Sequence, residues 1–505
     1  MEESGNRCPG CKRLSCDGCG IFRKLNAAAS DGREIRADKL NTNKQVKIQF
    51  PQGFAMEPGE GLGLSVDAGT TTLAGMLWDL KDGQLLETET ATNPQTVFGA
   101  DVVSRIQAAE NEEQLKEMQQ LLVKKLDEMA LCMAKRLAKT RGETSGRLPE
   151  GMTGEAEKGL GPKVIWEIKK VTIAGNTAMC EILSGQRPDG LLRAPFTPDY
   201  DSTVIRTGRE LGFEFLKEAE VAVLPPIGGF VGSDALAVAG YVSRQEKGRK
   251  ILALDIGTNG EILLQKDEKR YACSAAAGPA LEGGAIGQGM RAAAGAIDMV
   301  TVSGRFPVQD VVCRVIGGCA PAGICGSGLV DALALLRREG VVDASGYMRS
   351  PAEAKAGRAA ERLCRRIRED EDGRKFLLTD EKNPVYIKAE DVRQLQLSVS
   401  AIRSGMEILL KKGGMEAAEL DAVYLAGAFG SYINMESGTA IGLFPDVPRK
   451  KLVQAGNLAG TGAAMALLSP KVLRELEEES RIFIHVELAE EKDFEELFLR
   501  HMELP

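Results

Sequence analysis

Residues 64–78 read LSVDAGTTTLAGMLW, and residues 252–264 read LALDIGTNGEILL. Each stretch runs from apolar residues into an aspartate, a small or apolar residue and a glycine. Thr-Thr or Thr-Asn follows, then a second apolar run. This pattern predicts a strand, a tight turn and a returning strand. One such stretch is an ordinary hairpin. Two in matching contexts form an internal repeat, which predicts two similar α/β domains in tandem. The residue types also predict chemistry. Glycine permits the turn. The turn's amides and hydroxyls can cradle phosphate oxygens. An aspartate at the strand end can hold a magnesium ion, directly or through water. Two facing hairpins would grip a nucleotide's phosphates from both sides.

A third stretch, VYLAGAFGS at 423–431, is an apolar strand running into a glycine-rich turn. Beside two phosphate hairpins it would pack against an adenosine, with Gly427 and Gly430 allowing close backbone approach. Histidine is nearly absent, with only His485 and His501. A histidine general base or a multi-histidine metal site therefore cannot be assembled. Phosphoryl chemistry needs neither, being mostly positioning and electrostatics. The net charge of −8 argues against a general nucleic-acid binder. Apolar residues make up 43% and charged residues 27% of the 505, as in globular proteins. No apolar run is long enough to span a bilayer; the nearest, Val221–Val242, is broken by Pro225, Pro226 and Asp234. With no apolar signal core at the N-terminus, the expectation is a cytoplasmic protein without membrane contact.

The chain divides into residues 1–20, a cysteine-rich metal-binding segment; 21–60, a linker or small remnant domain; 61–245, a first lobe; 246–470, a second lobe; and 471–505, a C-terminal extension. Val46–Phe50 is a candidate short strand. A helix is expected over 108–139, with Leu115, Met118, Leu122, Leu126, Met129 and Met133 on one buried face. Residues 141–163 read as a loop or insertion. Dense Arg, Glu and Asp over 353–381 predict a solvated helical insertion.

Four of the 11 cysteines, Cys8, Cys11, Cys16 and Cys19, sit in NRCPGCKRLSCDGCG with the spacing C-x2-C-x4-C-x2-C. In a reducing compartment such clusters bind metal or do redox work more often than they form disulfides. The last three reproduce the C-x4-C-x2-C of plant-type clusters, with Cys8 in place of the usual distant ligand. A tetrathiolate zinc site is the alternative, although zinc ribbons separate their pairs more widely. Spacing alone leaves iron–sulfur and zinc open. Cys132 is expected to be a buried thiol on the core helix. Cys319 and Cys325, which flank PAGI, fit a packed or turn role.

Together, D-x-G-T-T, D-x-G-T-N and L-A-G-A-F-G resemble the two phosphate motifs and the adenosine motif of the ASKHA superfamily. Further stretches sharpen the resemblance: NPQTVFGADVVSRI (93–106), AGNTAM (174–179), LPPIGGFVGSDALA (224–237), GPALEGGAIGQGMRAAAGAI (278–297), GICGSGLVDAL (323–333) and AIGLFPD (440–446). With them the chain, from about 62 to near 470, resembles the ATPase domain of the reductive activators of corrinoid proteins. The resemblance implies an α/β, two-lobed ASKHA fold of duplicated ribonuclease-H-like sheets behind a small cysteine-ligated metal segment. It implies ATP with Mg2+ as nucleotide and a corrinoid protein of a methyltransferase system as partner. The activity implied is the return of inactive Co(II) to Co(I), with electrons from a donor protein. By carry-over, Asp67, Gly69, Thr70 and Thr71 meet phosphate or magnesium on one side. Asp255, Gly257, Thr258 and Asn259 do so on the other. Gly427, Ala428 and Gly430 line the adenosine pocket. Glu282 in GPALEGG would position magnesium or water, or serve structure alone; the IGGFVGSD stretch would be a partner-sensing loop or a buried turn. Longer members of the family carry a plant-type ferredoxin domain and a middle domain. The residues ahead of Leu62 are too few for both, so this resembles a short form without the full ferredoxin domain. The redox family favours an iron–sulfur centre (4Fe–4S or 2Fe–2S) over zinc. A small-molecule kinase, or an ATP-driven partner-binding module with a zinc knuckle, would share the phosphate motifs.

Overall fold

The computed structural model describes residues 48–99, 101–141, 167–380 and 382–505, apart from the side chains at 428 and 431. The four clustered cysteines, most of the expected loop at 141–163, and Val46 and Lys47 lie outside the described residues.

The first D-x-G-T stretch forms a hairpin of β1 (Leu62–Ala68) and β2 (Thr72–Asp79), and β3 (Leu85–Thr92) continues the meander. β1 is buried on both faces, which explains its unbroken apolar run. Parallel to it lies β4 (Ile168–Gly175); β5 (Val204–Thr207) and β6 (Glu220–Val223) complete a six-stranded sheet ordered β3-β2-β1-β4-β6-β5. The second stretch repeats the design. β7 (Ile251–Ile256) and β8 (Gly260–Lys266) form the hairpin, and β9 (Lys269–Ala275) continues it. Two small sheets follow: β10 (Ala296–Ser303) with β11 (Asp310–Val315) and β12 (Gly323–Ile324), then β13 (Ile367–Asp370), β14 (Gly373–Leu377) and β15 (Tyr386–Lys388). β16 (Ala422–Ala426), β17 (Leu452–Gly456) and β18 (Phe483–His485) close the second six-stranded sheet, ordered β17-β16-β7-β8-β9-β18. In both sheets the aspartate-bearing strand has its hairpin partner on one side and parallel strands on the other. The fold is α/β with a duplicated sheet.

Two helices, Ser233–Gln245 and Leu458–Leu468, cross between the sheets. The second reads LAGTGAAMALL and is buried all round, as a helix inside a core must be. A Cβ at Gly462 would stand 2.2 Å from the Ala237 carbonyl oxygen, so only glycine allows this crossing. The C-terminal residues are part of the second lobe. Leu497 and Leu504 join its core, and Gln396 Nε2 donates to the Met502 carbonyl at 2.6 Å.

Four local expectations need correction. Ile48–Phe50 forms no strand; Phe50 instead packs on Phe54 and Trp78, with ring centroids 4.6 and 5.5 Å away. The helix over 108–139 is two helices, Val102–Ala109 and Glu112–Thr140. Asn111 breaks them, because its side chain caps the second by accepting from Glu113 and Gln114 amides at 3.0 Å each. All six residues of the predicted stripe are buried on that second helix, but Cys132 is exposed. It lies on the flank of the stripe of Met129 and Met133, turned to solvent, and accepts from Arg136 Nη1 at 3.2 Å. Residues 353–381 are only partly helical. Ile367 pairs with Phe376 in a β13–β14 hairpin, and both are buried. Arg366 is buried too, and pairs with Asp310 and Asp380 at 2.5 and 2.7 Å. The dense charge of this segment therefore conceals a small β core.

Candidate functional site

The two D-x-G-T turns meet. Thr71 Oγ1 lies 3.1 Å from Thr258 Oγ1, and both hydroxyls donate to Glu282 Oε2, at 3.1 and 2.8 Å. Glu282 follows β9 in a short 3-10 turn, Pro279–Glu282, and so reaches both hairpins. The structure therefore brings three of the predicted residues into one contact across the two sheets. Thr70 and Asn259 sit half-exposed on the same turns. Asn259 holds the second turn through its carbonyl, which accepts from the Gly257 amide at 2.9 Å.

The first turn has a support of its own. Buried Asn93 donates from Nδ2 to the Gly69 carbonyl at 3.0 Å, and its amide donates to the Thr71 carbonyl at 2.9 Å. Two bonds to one asparagine hold the turn's carbonyls back, leaving its amide side for a ligand.

Behind the turns four carboxylates gather. Asp67 sits near the end of β1, Asp255 near the end of β7, and Glu261 is the residue paired with Asp255 on β8. Asp234 opens the Ser233–Gln245 helix. Ser233 sets its place: Ser233 Oγ accepts from the Gly175 amide at 2.9 Å and donates to the Gly175 carbonyl at 3.1 Å. That ties the helix start to the end of β4, beside Ala68 and Asp67. Burial pushes the Asp67 carboxyl up to about 7, with the Asp234 charge adding to it and the Asn457 hydrogen bond opposing it. Burial lifts Asp255 to about 8, with Asp67 and Asp234 contributing. Burial raises Asp234 to about 6, and raises Glu261 well above the usual carboxylate range with help from Asp234 and Asp255. Crowded, desolvated carboxylates favour a divalent cation over separate ionisation.

Among the described residues, no three His, Cys, Asp or Glu side chains stand close enough to cage a metal ion. Magnesium needs no cage. It binds through one or two carboxylates, with phosphate oxygens and waters completing the octahedron. The crowded carboxylates beside two hydroxyl-bearing turns fit that mode.

The Gly427 turn lies against the second aspartate. Gly427 has φ +77°, and a Cβ there would lie 2.4 Å from Asp255 Oδ1. Gly427 thus brings the β16 end directly against the second aspartate, and glycine is required for both reasons. Gly430 is buried in the Gly427–Tyr432 helix. The Ala428 side chain lies outside the described residues. Asn176 caps the Thr177–Leu183 helix through the Ala178 amide, and Thr177 Oγ1 donates to the Gly228 carbonyl at 3.3 Å. Asn176 therefore serves its own helix, and Thr177 ties that helix to the loop 225–231. Cys319 and Cys325 are free thiols; Cys325 is buried and donates to the Ile297 carbonyl at 3.4 Å.

Four residues of this neighbourhood were not singled out as site residues in the sequence. Asp234, Glu261 and Asn93 lie inside the quoted motifs LPPIGGFVGSDALA, LALDIGTNGEILL and NPQTVFG, where an unassigned acid or amide was the available signal. Asn457 has no such signal. Its Nδ2 donates to Asp67 Oδ2 at 2.8 Å across 390 positions of chain.

Comparison with known proteins places the fold in one family. The family model described as the C-terminal domain of RACo, the ASKHA domain, matches residues 249–505. The model of the RACo middle region matches 62–145 and 163–246. This corrects the expectation that a middle domain has no room: the first sheet and its helices are that region. The similarity also continues past 470 to the C-terminus. The corrinoid activation enzyme RamQ of Eubacterium limosum is 32% identical over 445 residues, covering 86% of this chain and 69% of that protein. A [Co(II) methylated amine-specific corrinoid protein] reductase of Methanosarcina barkeri is 27% identical over 308 residues, covering 57% of this chain and 50% of that protein. A solved structure, titled reductive activator for corrinoid, iron-sulfur protein, aligns with a TM-score of 0.73 at 31% identity. It covers 88% of this chain, which spans 66% of that one. The chain belongs to the family of RACo-type ASKHA reductive activators of corrinoid proteins.

Proposed function

We propose that this protein is an ATP-dependent reductive activator, which returns the inactive Co(II) corrinoid of a methyltransferase system to Co(I). The observation that carries the reading is the meeting of the two D-x-G-T turns at Glu282, with Asp67, Asp234 and Asp255 gathered behind them. Two turns on separate sheets, facing each other, make a phosphate clamp that responds to how the lobes close.

Asp67 and Asp255 would hold magnesium, directly or through water, with Asp234 adding charge to the same site; the ion would neutralise charge on the phosphates. Thr71 and Thr258 turn their hydroxyls from Glu282 to the phosphate oxygens. Released from both hydroxyls, Glu282 Oε2 becomes free to orient the attacking water. Gly427, Ala428 and Gly430 receive the adenosine. ATP and water become ADP and phosphate, and the lobes move. The accompanying step is a one-electron reduction of Co(II) to Co(I), with the electron supplied by a donor protein. Cys8, Cys11, Cys16 and Cys19 would supply the four thiolates of an iron–sulfur centre, which would provide one-electron transfer; zinc would leave the segment structural.

The test uses protein purified without oxygen, a corrinoid protein poised at Co(II), and titanium(III) citrate as reductant. Appearance of the Co(I) absorption only when MgATP is present is the expected result. ATP consumed in step with a phosphorylated small molecule, with the cobalt spectrum unchanged, would replace this reading with that of a kinase. Iron and sulfide in matching amounts on the same preparation would assign the four cysteines; zinc alone would remove electron entry from this chain.

A further inference from the structure

Asn457 stands where the second sheet passes to the helix that crosses against the first. It follows β17 directly and caps the Leu458–Leu468 helix, its Oδ1 accepting from the Gly460 amide at 2.6 Å. That bond decides where the other end of the amide points. With Oδ1 committed to the helix, Nδ2 faces Asp67 Oδ2 at 2.8 Å. The helix itself cannot shift independently. It is buried along its length, with Gly462 against the Ala237 backbone and Leu467 against the start of β1 at Gly63. A cap, a packed helix and an amide thus form a rigid connection from the second lobe to one carboxylate oxygen of the first.

We propose that Asn457 is a positioning residue for Asp67. It fixes one oxygen of the carboxylate so that the other is presented to magnesium and phosphate, and it ties that presentation to the placement of the second lobe. The inference rests on Asp67 serving the phosphate site. A hydrogen bond from a packed amide to a carboxylate is among the stronger neutral-to-charged kinds, and it sets direction as well as distance. The same logic governs outer partners of metal ligands in general, whose loss typically costs 10- to 100-fold in activity or metal affinity.

The two roles of Asn457 separate by substitution. Serine and aspartate cap helices about as well as asparagine. Neither can donate the Asp67 hydrogen bond in the same way: serine is too short, and aspartate presents an oxygen to an oxygen. The experiment measures ATP turnover, KM for ATP and thermal melting of the full chain as Asn457→Ser and Asn457→Asp. Both variants are expected to melt like the parent. Serine should lower kcat about 10-fold with KM changed less than about 2-fold, and aspartate should lower it further. Parental kcat in both variants would overturn the proposal. So would a loss of kcat that simply follows a fall in melting temperature, since that is a cap effect. Asp67→Ala is the control for the underlying reading. If it turns over ATP normally, Asp67 is outside the site and the phosphate reading fails, whatever Asn457 does.

Discussion

The two hairpins have nearly the same sequence and the same place in their sheets, yet they are held differently. The first turn is braced from both sides: Asn93 bonds the Gly69 and Thr71 carbonyls, and Asn457 bonds Asp67. The second is packed rather than braced. Asp255 faces Gly427 and the other carboxylates, and burial lifts its carboxyl to about 8, against about 7 for Asp67. The difference shows that a motif specifies the turn but its neighbours specify the charge state. The Asn457 amide favours the ionised form of the first aspartate, whereas neighbouring carboxylates oppose ionisation of the second.

Glu282 accepts from both turns, so its replacement should have the largest effect. Glu282→Gln is expected to lower ATP turnover about 10²- to 10⁴-fold, the usual range for a general acid–base group. Thr71→Val and Thr258→Val each remove one hydroxyl and should cost less. A single threonine variant as damaged as Glu282→Gln would mean that one turn does the work of both.

Gly427→Ala attacks the second half alone. It forces a Cβ to 2.4 Å from Asp255 Oδ1 at a φ of +77°. Strain of this kind should lower unfolding free energy by about 1–3 kcal/mol in urea titration, together with nucleotide affinity. Unchanged stability would show that the β16 end can move away from Asp255.

A further effect is expected on pH dependence. Asp67, Asp234 and Asp255 are raised to about 7, 6 and 8 by burial, with neighbouring carboxylates adding to it at Asp67 and Asp255. The folded chain therefore keeps protons that the unfolded chain gives up near pH 4, the ordinary carboxylate range. Without magnesium, stability should fall as pH rises from about 4 through about 8. Melting followed from pH 5.5 to 8.5 without magnesium should show this slope, and magnesium should flatten it. Asp255→Asn should flatten it more than Asp67→Asn. The reverse order would mean that the braced carboxylate, not the packed one, carries the strain.

Much of this site was legible in residue order. The D-x-G-T repeat announced the paired hairpins because a strand–turn–strand unit is local and its chemistry sits in adjacent residues. The stripe from Leu115 to Met133 likewise announced a buried helix face. Cys132 was misjudged because helix membership was taken for burial, whereas its angular position decides that. The break at Asn111 was missed because the apolar period continues on either side of it. Residues 353–381 misled because dense surface charge masks the short alternation of Ile367 and Phe376.

By itself the sequence determined the two D-x-G-T hairpins and their turns, because these depend on neighbours a few positions away. Only the tertiary structure decided that Glu282 serves both turns, that Asp234 joins the carboxylates and that Asn457 meets Asp67. Those contacts depend on two helices crossing between two sheets. The crossing is set by close packing of small residues such as Gly462 against a backbone hundreds of positions away.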